Sequence, residues 1–288
     1  MLKQIRFPNE EHSLQTPENG LSDAGAAPVQ LQTADLPKPI APVWHTVILI
    51  VGMVLLSVSG AKEFSGGAAS VDRLHTYALT VTTELFMLGW VYFGLRLRKI
   101  PFRSLLGSIP GDFRSIAVDL GIAMVFWIGS LMVLGTIGIF WTVTEAAITH
   151  RSLFPSGKPL APGAAQQQTL HTLLQLAPAN GREIAAWIVV CIIAGIVEEM
   201  IFRGYLQRQF TAWAKGAVAA GVAGSALLFG AAHGYQGARS MVLLCVFGVL
   251  FSLLALFRRS LRAGMIAHSW QDICAGLVLA LLKAHHKL

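Results

Sequence analysis

The sequence predicts an all-α fold: a polytopic transmembrane bundle of about seven helices enclosing a buried polar cavity. Three observations lead there. Of 288 residues, 54% are hydrophobic and only 13% charged, a composition far from that of soluble globular domains. The apolar runs are long, near the roughly 20 residues that cross a bilayer core, and too continuous for strands. Finally, two adjacent acids, Glu198 and Glu199, sit inside one of those runs, where an ionisable group costs about 3 kcal/mol or more and must be paired or used.

Taken in order, residues 1–42 are polar and end on Pro37, Pro39 and Pro42. They predict a disordered cytoplasmic tail, without the basic-then-apolar order of a signal peptide. Apolar segments follow at about 43–61, 76–95, 115–140, 184–212, 216–236, 239–257 and 263–282, each close to a spanning length. Arg96, Arg98, Lys99, Arg103 and Arg114 crowd the loop between the second and third segments, and positive loops stay inside. That orientation puts the amino terminus in the cytoplasm. Carried forward, it also places Arg203, Arg208 and Lys215 inside, then Arg258, Arg259 and Arg262; only Lys283 and Lys287 oppose it.

The long connection 141–182, with Pro155, Pro159, Pro162 and Pro178, is then extracytoplasmic, and Gln166 to Leu176 predicts a short interfacial helix within it. The chain therefore divides into the tail, a motif-free part over 43–182 and a motif-bearing core over 183–282. The expected location is a bacterial-type plasma membrane, as an integral multi-pass protein. The net charge of +7 collects at the ends of the apolar runs and forms no basic face with interleaved aromatics, which argues against nucleic acid as a partner. Cys191, Cys245 and Cys274 fall in apolar runs without paired spacing and read as free thiols packed as small hydrophobes.

Three short patterns carry the candidate chemistry. In Glu198-Glu199 with Arg203, the second acid and the arginine are four apart and share a helix face, so they neutralise each other. Glu198 points about 100° away and lacks that partner, which suits a desolvated general base. In Phe229-Gly230-Ala231-Ala232-His233, small residues let neighbouring helices approach the histidine. In His268-Ser269-Trp270-Gln271-Asp272, an acceptor four residues from an imidazole fixes its tautomer. Depth offers a check. A hairpin closing at Lys215-Gly216 puts Glu198 and His233 each about 25 Å from the turn. His268 stands only about 9 Å above Arg262, a mismatch that shrinks if Arg203 to Gln209 extends into the cytoplasm.

Other polar residues are discounted. Glu84 is intramembrane and within reach of such a site, but bonding to a neighbouring helix is the favoured reading. Asp119 is placed near a helix end, and His285 and His286 in a solvated basic tail. His12, His45, His75, His150 and His171 fall in tail, loop or helix-end contexts.

The ordered set Glu-Glu-x-x-x-Arg, Phe-x-x-x-His and His-x-x-x-Asn or Asp, present as Glu198-Glu199 with Arg203, Phe229 with His233, and His268 with Asp272, resembles the CPBP family. These are the CAAX-protease and bacteriocin-processing intramembrane proteases, also called abortive infection or lysostaphin resistance protein A-like. The resemblance covers about residues 183–280. It implies a helical fold with a polar cavity and hydrolysis of peptide bonds in a membrane-associated protein or peptide, so the implied partners are such a substrate and the lipid bilayer. The implied catalytic set is Glu198, Glu199, Arg203, His233, His268 and Asp272. Glu198 would activate water, and His233 would help bind that water or a metal. His268 and position 272 would hold the metal or stabilise the oxyanion.

The family is commonly labelled metalloprotease, so a divalent ion such as zinc on Glu198, His233 and His268 is a further expectation; a purely glutamate-driven reaction is the alternative. No His-Glu-x-x-His helix decides between them. Asp272, when ionised, can only accept hydrogen bonds, which fits orienting His268 better than donating to an oxyanion. Two rival functions share the same residues: a transporter or proton pathway using the intramembrane acids and histidines, and a non-catalytic scaffold that keeps the cluster for packing.

Overall fold

The computed structural model describes residues 36–65, 72–152 and 163–285. His12, His286 and Lys287 lie outside these residues, as do Pro155, Pro159 and Pro162. The described chain is helical and contains no strand, only one isolated bridge between Gly107 and Ser260. Its helices are α1 (Val43–Ser65), α2 (Arg73–Leu97), α3 (Phe113–Ile148), α4 (Ala164–Leu176), α5 (Gly181–Glu199), α6 (Gln207–Trp213), α7 (Val218–Ala232), α8 (Ala238–Arg258) and α9 (Arg262–Ala284).

Local chemistry starts several of them. Asp72 and Asp112 accept the backbone N–H three residues on, from His75 at 3.1 Å and Ser115 at 2.9 Å. Asn180 does the same for Glu183, whose carboxylate reaches back to the Ala179 N–H at 2.7 Å. Each cap satisfies N–H groups that the first helical turn leaves unpaired. Val125, Met132, Phe140 and Phe257 point outward, each 70% exposed or more, as lipid-facing side chains do in a helix that spans.

Six helical stretches among the described residues are long and apolar enough to cross a membrane, α5 to α6 counting as one of 33 residues. The seventh apolar segment is shorter than its sequence reading. Instead of running over 216–236, the helix stops at Ala232 after 15 residues and passes through a 3-10 turn, Gly234–Gln236. Gly234 and Gly237 follow the apolar run closely, and Gly237 adopts φ 90°, a backbone that ends a helix. The third segment is longer than expected: the helix continues to Ile148, with the Thr142 and Thr149 hydroxyls bonded to carbonyls of the preceding turn.

The alternation of loop ends read from charge is kept. At one end Asp119 binds Arg258 at 2.6 Å and Arg262 at 2.5 Å, the Leu261 N–H reaches the Leu106 carbonyl, and Arg208 donates to the Ser104 carbonyl. At the other end Arg73 binds Glu183 and the Gln175 carbonyl, and Tyr77 donates to the Leu176 carbonyl. Lys283, out of step with the charge rule, donates to the Leu174 carbonyl there; its position serves the open C-terminal end of α4.

Two buried polar contacts near α1 were not anticipated. Composition places residues 36–42 in the tail, yet Ile40 and Ala41 lie in the core. Gln209, fully buried, accepts from both of their N–H groups and donates to the Ala41 carbonyl at 2.8 Å. Arg203 to Gln207 and Gln209 are therefore buried against protein, and Arg208 alone in the run is exposed. His45 is also fully buried, stacked on Trp90 at 4.8 Å. Its Nε2 must donate to the Trp90 carbonyl at 2.7 Å, so its Nδ1 accepts from Tyr205 at 2.9 Å. Together these bonds tie α1 and α2 to the chain just past the acidic pair.

Candidate active site

The site begins at the end of α5. Glu198 and Glu199 close that helix, and the chain continues without a break as a π-type turn, Met200–Leu206, before α6. Such widened turns recur at functional sites. No composition signal in Met200–Leu206 distinguishes it from ordinary α-helix.

Glu199 and Arg203 form the ion pair expected from their spacing, at 2.8 Å with both side chains wholly buried. Arg203 also donates to the Gly248 carbonyl and lies over the Phe229 and Phe251 rings at 4.5 and 5.0 Å. A planar guanidinium suits this combination of fork and face.

The same Glu199 oxygen accepts from His268 Nδ1 at 3.2 Å. His268 is therefore oriented by Glu199, and not by Asp272 as its i+4 spacing suggested. With Nδ1 committed, Nε2 faces Glu198 at 3.7 Å and Asp272 at 3.6 Å. Those separations exceed a direct hydrogen bond and admit a water at the apex of the three groups. Asp272, with its side chain 38% exposed, stands at the open edge, whereas Glu198 Oε2 is buried without a hydrogen-bond partner.

Close packing makes this meeting possible. A Cβ on Gly195 would fall 2.7 Å from the Ser269 backbone nitrogen, so only glycine lets α5 lie this near α9. Phe229, 1% exposed, sits between the two imidazoles, 4.9 Å from His233 and 5.9 Å from His268. Its carbonyl accepts from His233 Nδ1 at 2.8 Å. A carbonyl only accepts, so His233 carries its proton on Nδ1 and keeps Nε2 as a bare acceptor.

Glu198 and His233 line one cavity of about 370 Å³. The structure thus brings Glu198, Glu199, Arg203, His268 and Asp272 into one connected cluster, with His233 on the cavity wall beside it. The opposite wall comes from helices that carried no motif: Ser57 and Gly60 on α1, and Thr80, Thr83 and Glu84 on α2. Glu84 is 8% exposed, and its Oε2 is buried with no hydrogen-bond partner. It faces the site, contrary to the favoured reading of a bond to a neighbouring helix. Its signal was faint but present, since Thr76, Thr80, Thr83, Glu84 and Met87 recur at helical spacing along one face of α2.

Among the described residues no three His, Cys, Asp or Glu side chains are grouped to hold an ion. Nε2 of His268 stands 3.7 Å from Glu198 and 3.6 Å from Asp272, while His233 lies on the cavity wall beside them. As placed, these side chains form no three-donor group among the described residues, and no step below passes through a metal.

A multi-pass helical bundle that gathers acids and imidazoles around an internal cavity has the makings of an intramembrane hydrolase. Residues 180–274 match the family model described as type II CAAX prenyl endopeptidase Rce1-like, a match consistent with the CPBP family and supporting an intramembrane protease. It spans about a third of the chain, from the cap of α5 to the middle of α9. No curated protein and no solved structure matches the chain.

Proposed function

We propose that this protein is an intramembrane endopeptidase that cleaves membrane-associated proteins or peptides with water activated by Glu198. The carrying observation is the buried, unpartnered Glu198 Oε2, set 3.7 Å from an imidazole whose other nitrogen is fixed. A carboxylate with free lone pairs beside a cavity can take a proton from water. His233 Nε2 accepts a hydrogen bond from the other water O–H, which stays on the oxygen, and turns that oxygen toward the scissile carbonyl. Hydroxide adds to the carbonyl carbon, and His268, protonated at Nε2, donates to the oxygen as charge gathers there. The C–N bond then breaks, and the proton ends on the departing amine. Arg203 and Glu199 touch no reacting atom in this scheme; they hold His268.

In the membrane the end bearing Arg103, Arg208 and Arg258 faces the cytoplasm, following the charge rule. The motif core 183–282 supplies the reacting groups, and α1 and α2 wall the cavity where the substrate enters.

The test is cleavage of a peptide library by the full chain in proteoliposomes, with Glu198→Gln and Glu198→Ala beside wild type. Losing a positioned general base removes on the order of 10²- to 10⁴-fold of the rate. Undiminished cleavage by either variant overturns the assignment, and cation flux without any cleavage turns the reading to a transporter.

A further inference from the structure

We propose that Glu84 is a second catalytic acid, the group that protonates the departing amine. The inference rests on the peptidase reading above. It starts from a carboxyl on α2, over nine-tenths buried, with one oxygen that finds no hydrogen-bond donor, on a residue that lines the cavity Glu198 and His233 share. Buried polar atoms are rarely left unpaired, and those that are call for an explanation. A carboxylic acid that holds its own proton provides one, because the O–H then has a partner only when substrate arrives.

The groups facing Glu84 are Glu198 from α5 and His268 from α9, with His233 and Tyr235 from the stretch joining α7 to α8. Two acids from different helices thus address one cavity, an arrangement that allows base and acid to be separate residues. The step balances. Glu198 takes one proton from water, and the hydroxide oxygen bonds to the carbonyl carbon. As the C–N bond breaks, its electron pair stays on nitrogen and takes the proton from Glu84. Transfer of the proton held by Glu198 back to Glu84 resets the site, with no other reagent needed.

The experiment compares a peptide amide cleaved by wild type with an activated ester of the same sequence, whose leaving group departs without protonation. Glu84→Gln should lower kcat on the amide by on the order of 10²-fold or more with KM little changed, yet hydrolyse the ester near the wild-type rate. Because a general acid works only while protonated, wild-type amide cleavage should fall on the alkaline side; Glu84→Gln should keep only the part of that limb that its ester hydrolysis also shows, the part set by His268. Glu198→Gln should fail on both substrates. Equal loss on amide and ester, or no loss on either, overturns the role of Glu84. Activity retained by Glu198→Gln instead overturns the peptidase reading itself.

A second measurement needs no substrate. The infrared band of a protonated carboxyl should be present in wild type, absent from Glu84→Gln and kept by Glu198→Gln. Its persistence in Glu84→Gln also overturns the proposal, and Glu84→Met, apolar and similar in size, serves if the glutamine variant does not fold.

Discussion

Glu199 Oε1 lies 3.2 Å from His268 Nδ1 while holding Arg203 at 2.8 Å, so one buried carboxylate orients the imidazole and neutralises the guanidinium. Removing its charge leaves Arg203 buried and unpaired. Glu199→Gln should therefore destabilise the protein by about 3–5 kcal/mol, as breaking a buried pair from one side does. Replacing both partners by apolar residues, Glu199→Leu with Arg203→Met, should cost less than Glu199→Leu alone. Thermal unfolding in detergent reads both results; a loss below about 1 kcal/mol for the single variant would mean that the pair behaves as an exposed one.

The separation of α5 from α9 is set at Gly195, where any side chain meets Ser269. Gly195→Val should cost about 1–3 kcal/mol through overpacking and move Glu198 away from His268. A displacement of about 1 Å in a reacting group is worth on the order of 10²-fold in rate, so activity should fall well before folding does. A variant that unfolds less readily than wild type, or cleaves as fast, would show that the two helices do not need this contact.

The parts of this fold that were legible in the sequence are those written in local spacing or in loop charge. The Glu199–Arg203 pair and the placing of Asp272 beside His268 follow from four-residue periodicity. The alternation of ends follows from where Arg98, Arg208 and Arg258 fall between apolar runs. The bond from Glu199 to His268 joins two helices that no local pattern relates, which is why the nearer Asp272 was credited with orienting the ring. Glu84 is hard to read for the same reason: its place on the cavity wall depends on how α2 rotates against α5. The early stop of α7 is a contest between a continuing apolar pattern and two nearby glycines. Hydropathy counts the first and is blind to the second.

Metal dependence separates the two chemistries that the motifs allow. His233 Nδ1 is committed to the Phe229 carbonyl and His268 Nδ1 to Glu199, but no three donors are grouped among the described residues. Cleavage should therefore survive prolonged dialysis against a chelator, and purified protein should hold far less than one zinc per chain. Metal analysis of wild type against His233→Ala, run beside the cleavage assay, checks this. A stoichiometric ion that disappears together with activity in the variant would show that the donors close around a metal when one is bound.

Orientation in the bilayer can be read chemically, because the two ends of the bundle carry different exposed residues. Lys99 is exposed at the end that holds the Asp119, Arg258 and Arg262 cluster, and His171 is exposed on α4 at the other. In a background with Cys191, Cys245 and Cys274 replaced by alanine, a cysteine at 171 should react with a membrane-impermeant maleimide in intact cells. One at 99 should react only after the membrane is opened. The expectation rests on an excess of Lys and Arg at one end, a bias that sets topology when the loops are short. Labelling of position 99 from outside would invert the protein. The cavity would keep its chemistry, but the substrates reaching it would come from the opposite side of the membrane.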